Sequence, residues 1–267
     1  MKKLISTIVK TLTFFIGWAI LISFTPDLQT DNPALLRLWW EFTPLAAVVL
    51  FSICFVFLIE KKKIKVPVTV NLPKNILVGA VIGVFWLGSV AAMLLLTKTM
   101  HIQGVYHVDY LWIWILASLF NTIMQELLVR GYLYQLWKRR YNTTTATILT
   151  TILFTAMHGG AFEAGIIPVL NVISMSVLVT MLLEYTGTIA APILAHFIWN
   201  TIGAIILGGV SLVSDYPKLL NSTYQGVEWI AGGVYKMEGS IIVFVVNMIL
   251  LTYLFLLSRK RSALAFD

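Results

Sequence analysis

The chain has 267 residues, of which 59% are hydrophobic and only 12% carry charge, and its mean hydropathy is +0.88. Soluble domains carry about a quarter charged residues, so this composition excludes an ordinary soluble globular protein and predicts one polytopic membrane domain. The net charge of +7 does not indicate nucleic acid binding, because membrane proteins concentrate basic residues in cytoplasmic loops that face anionic lipid. The single cysteine, Cys54, excludes an internal disulfide.

In chain order, the sequence contains about eight apolar segments with the length of a membrane-spanning helix. The first begins like a signal peptide but has no clear cleavage site, so we interpret it as a retained signal anchor. Continuous apolar runs without a two-residue alternation exclude a β-barrel. The predicted fold class is all-α, with spans at roughly 4–24, 38–59, 76–97, 110–136, 144–160, 166–185, 189–209 and 240–258.

The distribution of basic residues predicts the orientation of these spans. When the eight segments are threaded through a bilayer, the basic clusters fall on one side and the loops on the other side contain most of the acidic residues. These clusters lie at 2–3, 61–65, 138–140 and 259–261. The positive-inside rule therefore places both termini in the cytoplasm. The longest external stretch, 210–239, is interpreted as an interfacial cap or lid.

Polar groups inside the spans recur at four-residue spacing, which places both members of a pair on one helix face. The pairs are Glu126 and Arg130, Phe154 and His158, and His196 and Asn200. From the rise of a helix, the polar members lie about 10–21 Å from the predicted cytoplasmic ends of their spans, so they share one slab of the bilayer. Ionisable groups at this depth mark a functional site by default.

The remaining ionisable residues are given no catalytic role. His101, His107 and Asp109 lie in a predicted external loop, where solvated polar residues are ordinary. Glu41 lies near the outer end of the second span and is expected to reach the membrane interface.

The residue types in the three pairs favour hydrolysis. A carboxylate beside a neutral imidazole can polarise a water into a nucleophile, and a second His with an Asn can donate hydrogen bonds to the oxyanion of an attacked carbonyl. Arg130 can hold Glu126 or its helix in place. Glu126, His158 and His196 equally resemble a zinc-binding set, because catalytic zinc takes three protein ligands and a water. Spacing alone does not choose between amide hydrolysis with and without zinc.

The segments QELLVRG at 125–131, FTAMH at 154–158 and HFIWN at 196–200 resemble the motifs of the CPBP (Abi) intramembrane proteases, which include the type II CAAX prenyl endopeptidases. The motifs of that family are Glu-Glu-x-x-x-Arg, Phe-x-x-x-His and His-x-x-x-Asn, in this order. The resemblance covers roughly residues 108–209. It leaves 1–107, with the first three spans, and 210–267, with the external loop and the last span, as flanking regions.

The resemblance implies a helical membrane domain that cleaves peptide bonds in or near the bilayer, with a glutamate-activated water favoured over a bound metal. Its implied substrates are hydrophobic or lipid-linked peptides in the membrane, and self-immunity to bacteriocins is another role that it suggests. No nucleic acid partner is expected, and the predicted location is a bacterial plasma membrane.

One position departs from the family. Gln125 stands where the family has its first glutamate, the residue to which the resemblance assigns water activation, and a carboxamide cannot take a proton. Glu126 can act as the base after a shift in helix rotation, because neighbouring residues point about 100° apart. Otherwise the chain is a non-proteolytic adaptor or immunity protein, or the glutamine is an inactivating substitution. A transporter ranks last, because the two halves show no broken repeats.

The candidate site therefore has six members, with no firmly predicted cofactor. They are Gln125, Glu126, Arg130, His158, His196 and Asn200.

Overall fold

The computed structural model describes residues 1–210 and 215–263, most of which are helical. The α-helices are α1 (Lys2–Ser23), α2 (Pro33–Cys54), α3 (Leu72–Leu96), α4 (Leu111–Glu126), α5 (Tyr134–Arg140), α6 (Thr143–Met157), α7 (Gly159–Ala164), α8 (Ile166–Thr186), α9 (Ala190–Asn200), α10 (Glu228–Ala231) and α11 (Ile241–Ala263). Three π-helical segments continue them: Phe55–Ile59 after α2, Leu127–Leu133 between α4 and α5, and Thr201–Ile206 after α9. Gly233–Gly239 is a 3-10 helix.

Six helical stretches of the described residues are long and apolar enough to cross a membrane, and they confirm the multi-pass membrane class that the composition predicts. They are Lys2–Ser23, Pro33–Ile59, Leu72–Leu96, Leu111–Arg140, Ile166–Thr186 and Gly233–Arg261. The predicted spans at 144–160 and 189–209 form shorter apolar helices, Thr143–Met157 and Ala190–Ile206. All eight predicted segments are thus helical, and six of them have the full length of a span.

The chain divides into two compact units. The first comprises Met1–Val68 and Tyr110–Thr150. The second comprises Thr69–Asp109 and the described residues from Thr151 onward. The motif around Gln125 lies in the first unit, and the two histidine motifs lie in the second.

In the first unit, α1 and α2 pack against each other in opposite directions. The indole of Trp18 donates a hydrogen bond to the Pro44 carbonyl at 3.0 Å, and the Phe14 ring lies 5.1 Å from the Phe55 ring. Residue numbers therefore rise along α1 as they fall along α2. This is the course that consecutive membrane-spanning helices require.

The same unit pairs α2 with α4 in parallel. The ring of Phe42 lies 6.1 Å from that of Phe120, and further along both helices Phe55 lies 5.1 Å from Tyr132. Helices joined through one intervening span run in the same direction, as α2 and α4 do here. Their contact places α2 beside the helix that carries Gln125.

In the second unit, small residues let α3 and α9 approach closely. A Cβ atom at Gly79 would lie 2.9 Å from the Cα of Ala191, and one at Gly83 would lie 2.9 Å from the Cα of Ala195. Glycines four residues apart form such a seam in membrane helices, because they let two backbones come together. The seam fixes the position of α9 just before His196.

Hydrogen bonds join three helices of this unit, α3, α8 and α11. The Trp86 indole donates to Asn247 Oδ1 at 2.6 Å, and Asn247 Nδ2 donates to Ser174 Oγ at 2.8 Å. Near the C-terminal ends of α8 and α11, Arg261 donates to the Tyr185 carbonyl at 3.0 Å. These bonds tie α11 to α3 and to α8, which runs parallel to α11.

One small two-stranded sheet accompanies the predominantly helical fold, which supports the all-α prediction. Strands β1 (Met100–Val105) and β2 (Leu220–Tyr224) pair antiparallel, with Met100 opposite Tyr224. The segment that was predicted to be a solvated loop around His101 therefore forms a strand, because a distant part of the chain supplies its partner. β2 belongs to the predicted cap at 210–239, of which residues 211–214 lie outside the described residues, as do 264–267 at the chain end. The role of this segment as a cap or lid stays a prediction.

Candidate functional site

The first motif lies where an α-helix changes to a π-helix. Glu126 is the last residue of α4, and Arg130 lies within the π-helical segment Leu127–Leu133. Segments of this kind are rare and occur frequently at functional sites. Both side chains are fully buried, with 0% exposed, and Arg130 Nη1 lies 3.3 Å from Glu126 Oε1. The spacing in the sequence thus predicted a real ion pair.

This ion pair explains how the hydrophobic run can carry two charges. A single buried charge is expensive, whereas a hydrogen-bonded pair of opposite charges offsets much of the desolvation. Glu126 therefore stabilises the charge of Arg130, and Arg130 stabilises the charge of Glu126. A carboxylate held in such an ion pair is better suited to stabilising this helix than to exchanging its partner during a reaction.

Gln125 faces different partners from those of its neighbour. Its Nε2 donates to Asn121 Oδ1 at 2.7 Å, one turn earlier on α4. Asn121 Nδ2 in turn donates to Glu41 Oε2 on α2 at 2.9 Å, and Arg37 Nη1 donates to Glu41 Oε1 at 3.1 Å. The two adjacent residues of the motif, Gln125 and Glu126, thus hydrogen-bond to different side chains.

Glu41 is the residue that the sequence interpretation missed. It was expected to reach the membrane interface, but its side chain is buried, with only 3% exposed, between Arg37 and Asn121. The spacing held a signal for this, because Arg37 with Glu41 and Asn121 with Gln125 are both four residues apart. The contact between the two pairs joins helices 80 residues apart in sequence.

The second motif orients a histidine. His158 follows the end of α6, and its Nδ1 lies 2.7 Å from the carbonyl oxygen of Phe154. A carbonyl oxygen can only accept, so Nδ1 carries the proton and the neutral ring has its lone pair on Nε2. In this tautomer, Nε2 is the ring nitrogen that can accept a proton or bind a metal. The ring of Phe154 also packs against the imidazole, with 4.3 Å between ring centroids.

The third motif lies on α9 and places a second histidine near the same phenylalanine. His196 and Asn200 are both buried, and the His196 ring meets the Phe154 ring edge-on with centroids 6.0 Å apart. Asn200 is the last residue of α9, so here too the motif ends where a π-helical segment begins. Trp199 stacks on Trp86 of α3 at 4.4 Å and holds this end of α9.

Each compact unit thus gathers its own share of the predicted site residues. The first unit carries Gln125, Glu126 and Arg130 on one continuous helix. In the second unit, His158 and His196 both contact the Phe154 ring, and Asn200 lies one turn beyond His196. Among the described residues, no group of three or more His, Cys, Asp or Glu side chains could hold a metal ion. The zinc ligation considered from the sequence stays a prediction.

Comparison with known proteins supports the resemblance of the three motifs. Residues 107–202 match the family model described as type II CAAX prenyl endopeptidase Rce1-like, and this segment contains all three motifs. Searches among curated proteins and among solved structures found no match to this chain. The resemblance inferred from the motif order and spacing is therefore confirmed: residues 107–202 of this membrane protein match the Rce1-like type II CAAX prenyl endopeptidase family model.

Proposed function

We propose that this protein is an intramembrane endopeptidase that hydrolyses peptide bonds in hydrophobic or lipid-linked peptides by means of an activated water. The observation that carries the proposal is the hydrogen bond between His158 Nδ1 and the Phe154 carbonyl, because it orients the ring and makes Nε2 the nitrogen that can accept a proton. The family match of residues 107–202 supports the class of reaction.

His158 takes the proton of the attacking water in this proposal. Its Nε2 accepts the proton as the water oxygen bonds to the carbonyl carbon of the substrate. The same proton then passes from the imidazolium to the leaving nitrogen as the C–N bond breaks. The products are a carboxylic acid and an amine, and the histidine returns to its neutral form.

The oxyanion that develops on the substrate is assigned to His196 and Asn200. Both are buried, and a donor in a water-excluded site stabilises developing negative charge far more than one in water. Asn200 donates through its amide and His196 through a ring N–H. The stacking of Trp199 on Trp86 supports this assignment, because it limits the motion of the helix that carries both donors.

The two residues of the first motif receive different roles. Gln125 cannot accept a proton, so it is assigned to hydrogen bonding through its amide rather than to proton transfer. Glu126 is assigned to hold Arg130 and the local π-helical geometry, since the two groups lie 3.3 Å apart with no exposed surface. The proposed substrates are apolar or lipid-modified peptides, because these are the peptides that enter the bilayer around the helices.

Cleavage of a fluorogenic lipidated peptide by the full chain in proteoliposomes tests the proposal. We expect cleavage by the chain as it stands and a fall in kcat of about 10²–10⁴-fold for His158→Ala. Asn200→Leu should lower kcat by about 10²–10³-fold. His101→Ala is the matched control, because that histidine is exposed on β1 and should leave kcat unchanged. Full activity of the His158→Ala variant would show the proposal to be wrong.

Glu126→Gln separates an anchor from a base. If Glu126 is an anchor, the variant unfolds at a lower temperature and the cleavage that survives keeps its pH profile. If Glu126 is the base, the variant is inactive while its thermal stability stays close to that of the parent. The second result would transfer the role of base from His158 to Glu126.

A second candidate is a non-proteolytic membrane adaptor or bacteriocin-immunity protein. The observation that favours it is Gln125, a neutral side chain where the family motif has a carboxylate. No cleavage by the parent chain or by Gln125→Glu, combined with retained peptide binding, would favour this candidate over the enzyme. We further propose a bacterial plasma membrane location with both termini in the cytoplasm, which the distribution of basic residues supports.

A further inference from the structure

An unbroken chain of hydrogen bonds leads from α2 to Gln125. Arg37 donates to Glu41, Asn121 donates to Glu41, and Gln125 donates to Asn121, with distances of 3.1, 2.9 and 2.7 Å. We call Glu41, Asn121 and Gln125 the amide relay. All three lie in one compact unit, and the helices that carry them are held in register by the contact of Phe42 with Phe120.

The relay has a direction, and Glu41 sets it. An ionised carboxylate can only accept hydrogen bonds, so Asn121 must turn its NH₂ group toward Glu41. The side-chain oxygen of Asn121 then faces Gln125, and the NH₂ group of Gln125 donates a hydrogen bond to it. The side-chain oxygen of Gln125 is left facing away from the relay. This oxygen is buried and accepts no hydrogen bond from any of the residues that the structure describes.

We infer that Glu41 and Asn121 are positioning residues, which fix the orientation of the Gln125 amide so that its oxygen accepts a hydrogen bond from a water. The inference rests on the proposed function, and it assigns a task to the one motif position that departs from the family. A buried acceptor oxygen is ordinarily paired with a donor from the protein or from water. The O–H of a water supplies such a donor.

The relay also explains why glutamine occupies this position. A glutamate at 125 would place its carboxylate against the carbonyl oxygen of Asn121, because Glu41 already holds the NH₂ group of that residue. The relay therefore accommodates one carboxylate, at 41 or at 125, but not both. With the carboxylate at 125 and glutamine at 41, Asn121 would turn over, and every hydrogen bond of the relay would form in the reverse sense.

A double-mutant cycle in the full chain tests this inference. The variants are Glu41→Gln, Gln125→Glu and the combination of both, each compared with the parent for kcat, KM and thermal stability in detergent. We expect each single variant to lower kcat by about 10–100-fold with a smaller change in KM, because a misplaced polar group costs rate rather than binding. We expect the combined variant to recover most of this loss and the melting temperature of the parent.

Thr122→Val is the matched control for a merely structural effect. Thr122 is the neighbour of Asn121 and is also buried, with a 2.9 Å hydrogen bond to the Ser118 carbonyl, but it lies outside the relay. Its effect should add to that of Gln125→Glu rather than cancel it. Recovery by the combined relay variant with additivity for Thr122→Val supports the inference.

The outcomes separate the inference from the proposed function. Additive losses in kcat and in melting temperature for Glu41→Gln with Gln125→Glu would overturn the relay, even in an active protease. A Gln125→Glu single variant more active than the parent would overturn it as well. If the parent does not cleave peptides, the proposed function fails. The cycle in melting temperature still decides whether Glu41 sets the orientation of Gln125.

Discussion

The two compact units stabilise polar groups in their apolar interiors by different means. The first unit buries four charged side chains: Glu41, Glu60, Glu126 and Arg130. In the described part of the second unit, no Asp, Glu, Lys or Arg is buried, and the large buried polar side chains are amides and one imidazole. They are Asn75, Asn171, His196, Asn200 and Asn247.

The difference predicts how each unit responds to substitution. Charges hold a geometry through partners whose loss leaves an uncompensated charge, so the first unit should be sensitive to single changes and should recover with paired ones. Glu60 shows the pattern again, with Lys10 as its ion-pair partner and the Tyr132 hydroxyl at 3.3 Å. Neutral amides and small residues hold the second unit, where smaller and more local losses are expected.

The largest expected effect breaks the central ion pair of the first unit. Arg130→Met leaves Glu126 buried without this partner, and we expect a loss of about 3–5 kcal/mol in the free energy of unfolding. Thermal unfolding in detergent measures it. The double variant Glu126→Gln/Arg130→Met should recover part of the loss. Arg37→Met is the milder comparison, because that side chain is 17% exposed, and an equal effect of both would remove the contrast between buried and accessible charge.

The second effect tests the small-residue seam of the other unit. Gly79→Ala places a Cβ against the backbone of Ala191, which has little room to yield, so we expect a loss of about 1–3 kcal/mol. Gly88→Ala on the same helix meets nothing within 4 Å. It should be neutral or gain up to about 1 kcal/mol from helix propensity. Thermal unfolding of the two variants side by side decides, and equal losses would argue against the seam.

A smaller effect is expected in the amide network of the second unit. Asn247→Leu leaves the Trp86 indole N–H without its acceptor, which should cost about 1–2 kcal/mol in the free energy of unfolding. Removing both partners in Trp86→Phe/Asn247→Leu should restore part of it. A double variant that loses more unfolding free energy than the two single variants together would show that packing, rather than hydrogen bonding, dominates here.

The smallest effect is expected at the surface of the same unit. His107 and Asp109 lie 3.0 Å apart, but their side chains are 88% and 79% exposed, and exposed ion pairs contribute little. His107→Ala should change the melting temperature by less than about 1–2 °C. A larger shift would mean that buried and exposed polar pairs do not differ as the comparison between the units supposes.

Local patterns in the sequence predicted the elements that depend on near neighbours. The Glu126–Arg130 pair follows from four-residue spacing on one helix, and the hydrogen bond from His158 to Phe154 joins residues at the same spacing. The lengths of the two shorter apolar helices, Thr143–Met157 and Ala190–Ile206, were harder to predict, because hydropathy reports the apolar character of a segment but not where its helix ends. The end of α6 at Met157 falls just before Gly159 and Gly160, which interrupt the apolar run.

Contacts across distant parts of the chain were out of reach of such patterns. Pairing of β1 with β2 joins segments more than a hundred residues apart, and nothing in either segment specifies the other. The burial of Glu41 likewise depends on Asn121, a residue whose importance appears only when α2 and α4 lie side by side. The π-helical segments that follow Glu126 and Asn200 were not predicted either, since no residue type marks them.

By itself, the sequence determined that this is a multi-pass helical membrane protein with three polar motifs, because hydropathy and the helical repeat act over a few neighbouring residues. Only the tertiary structure decided which polar groups are partners. A hydrogen bond needs two atoms within about 3 Å, and for Gln125 that distance depends on how two helices far apart in sequence pack together.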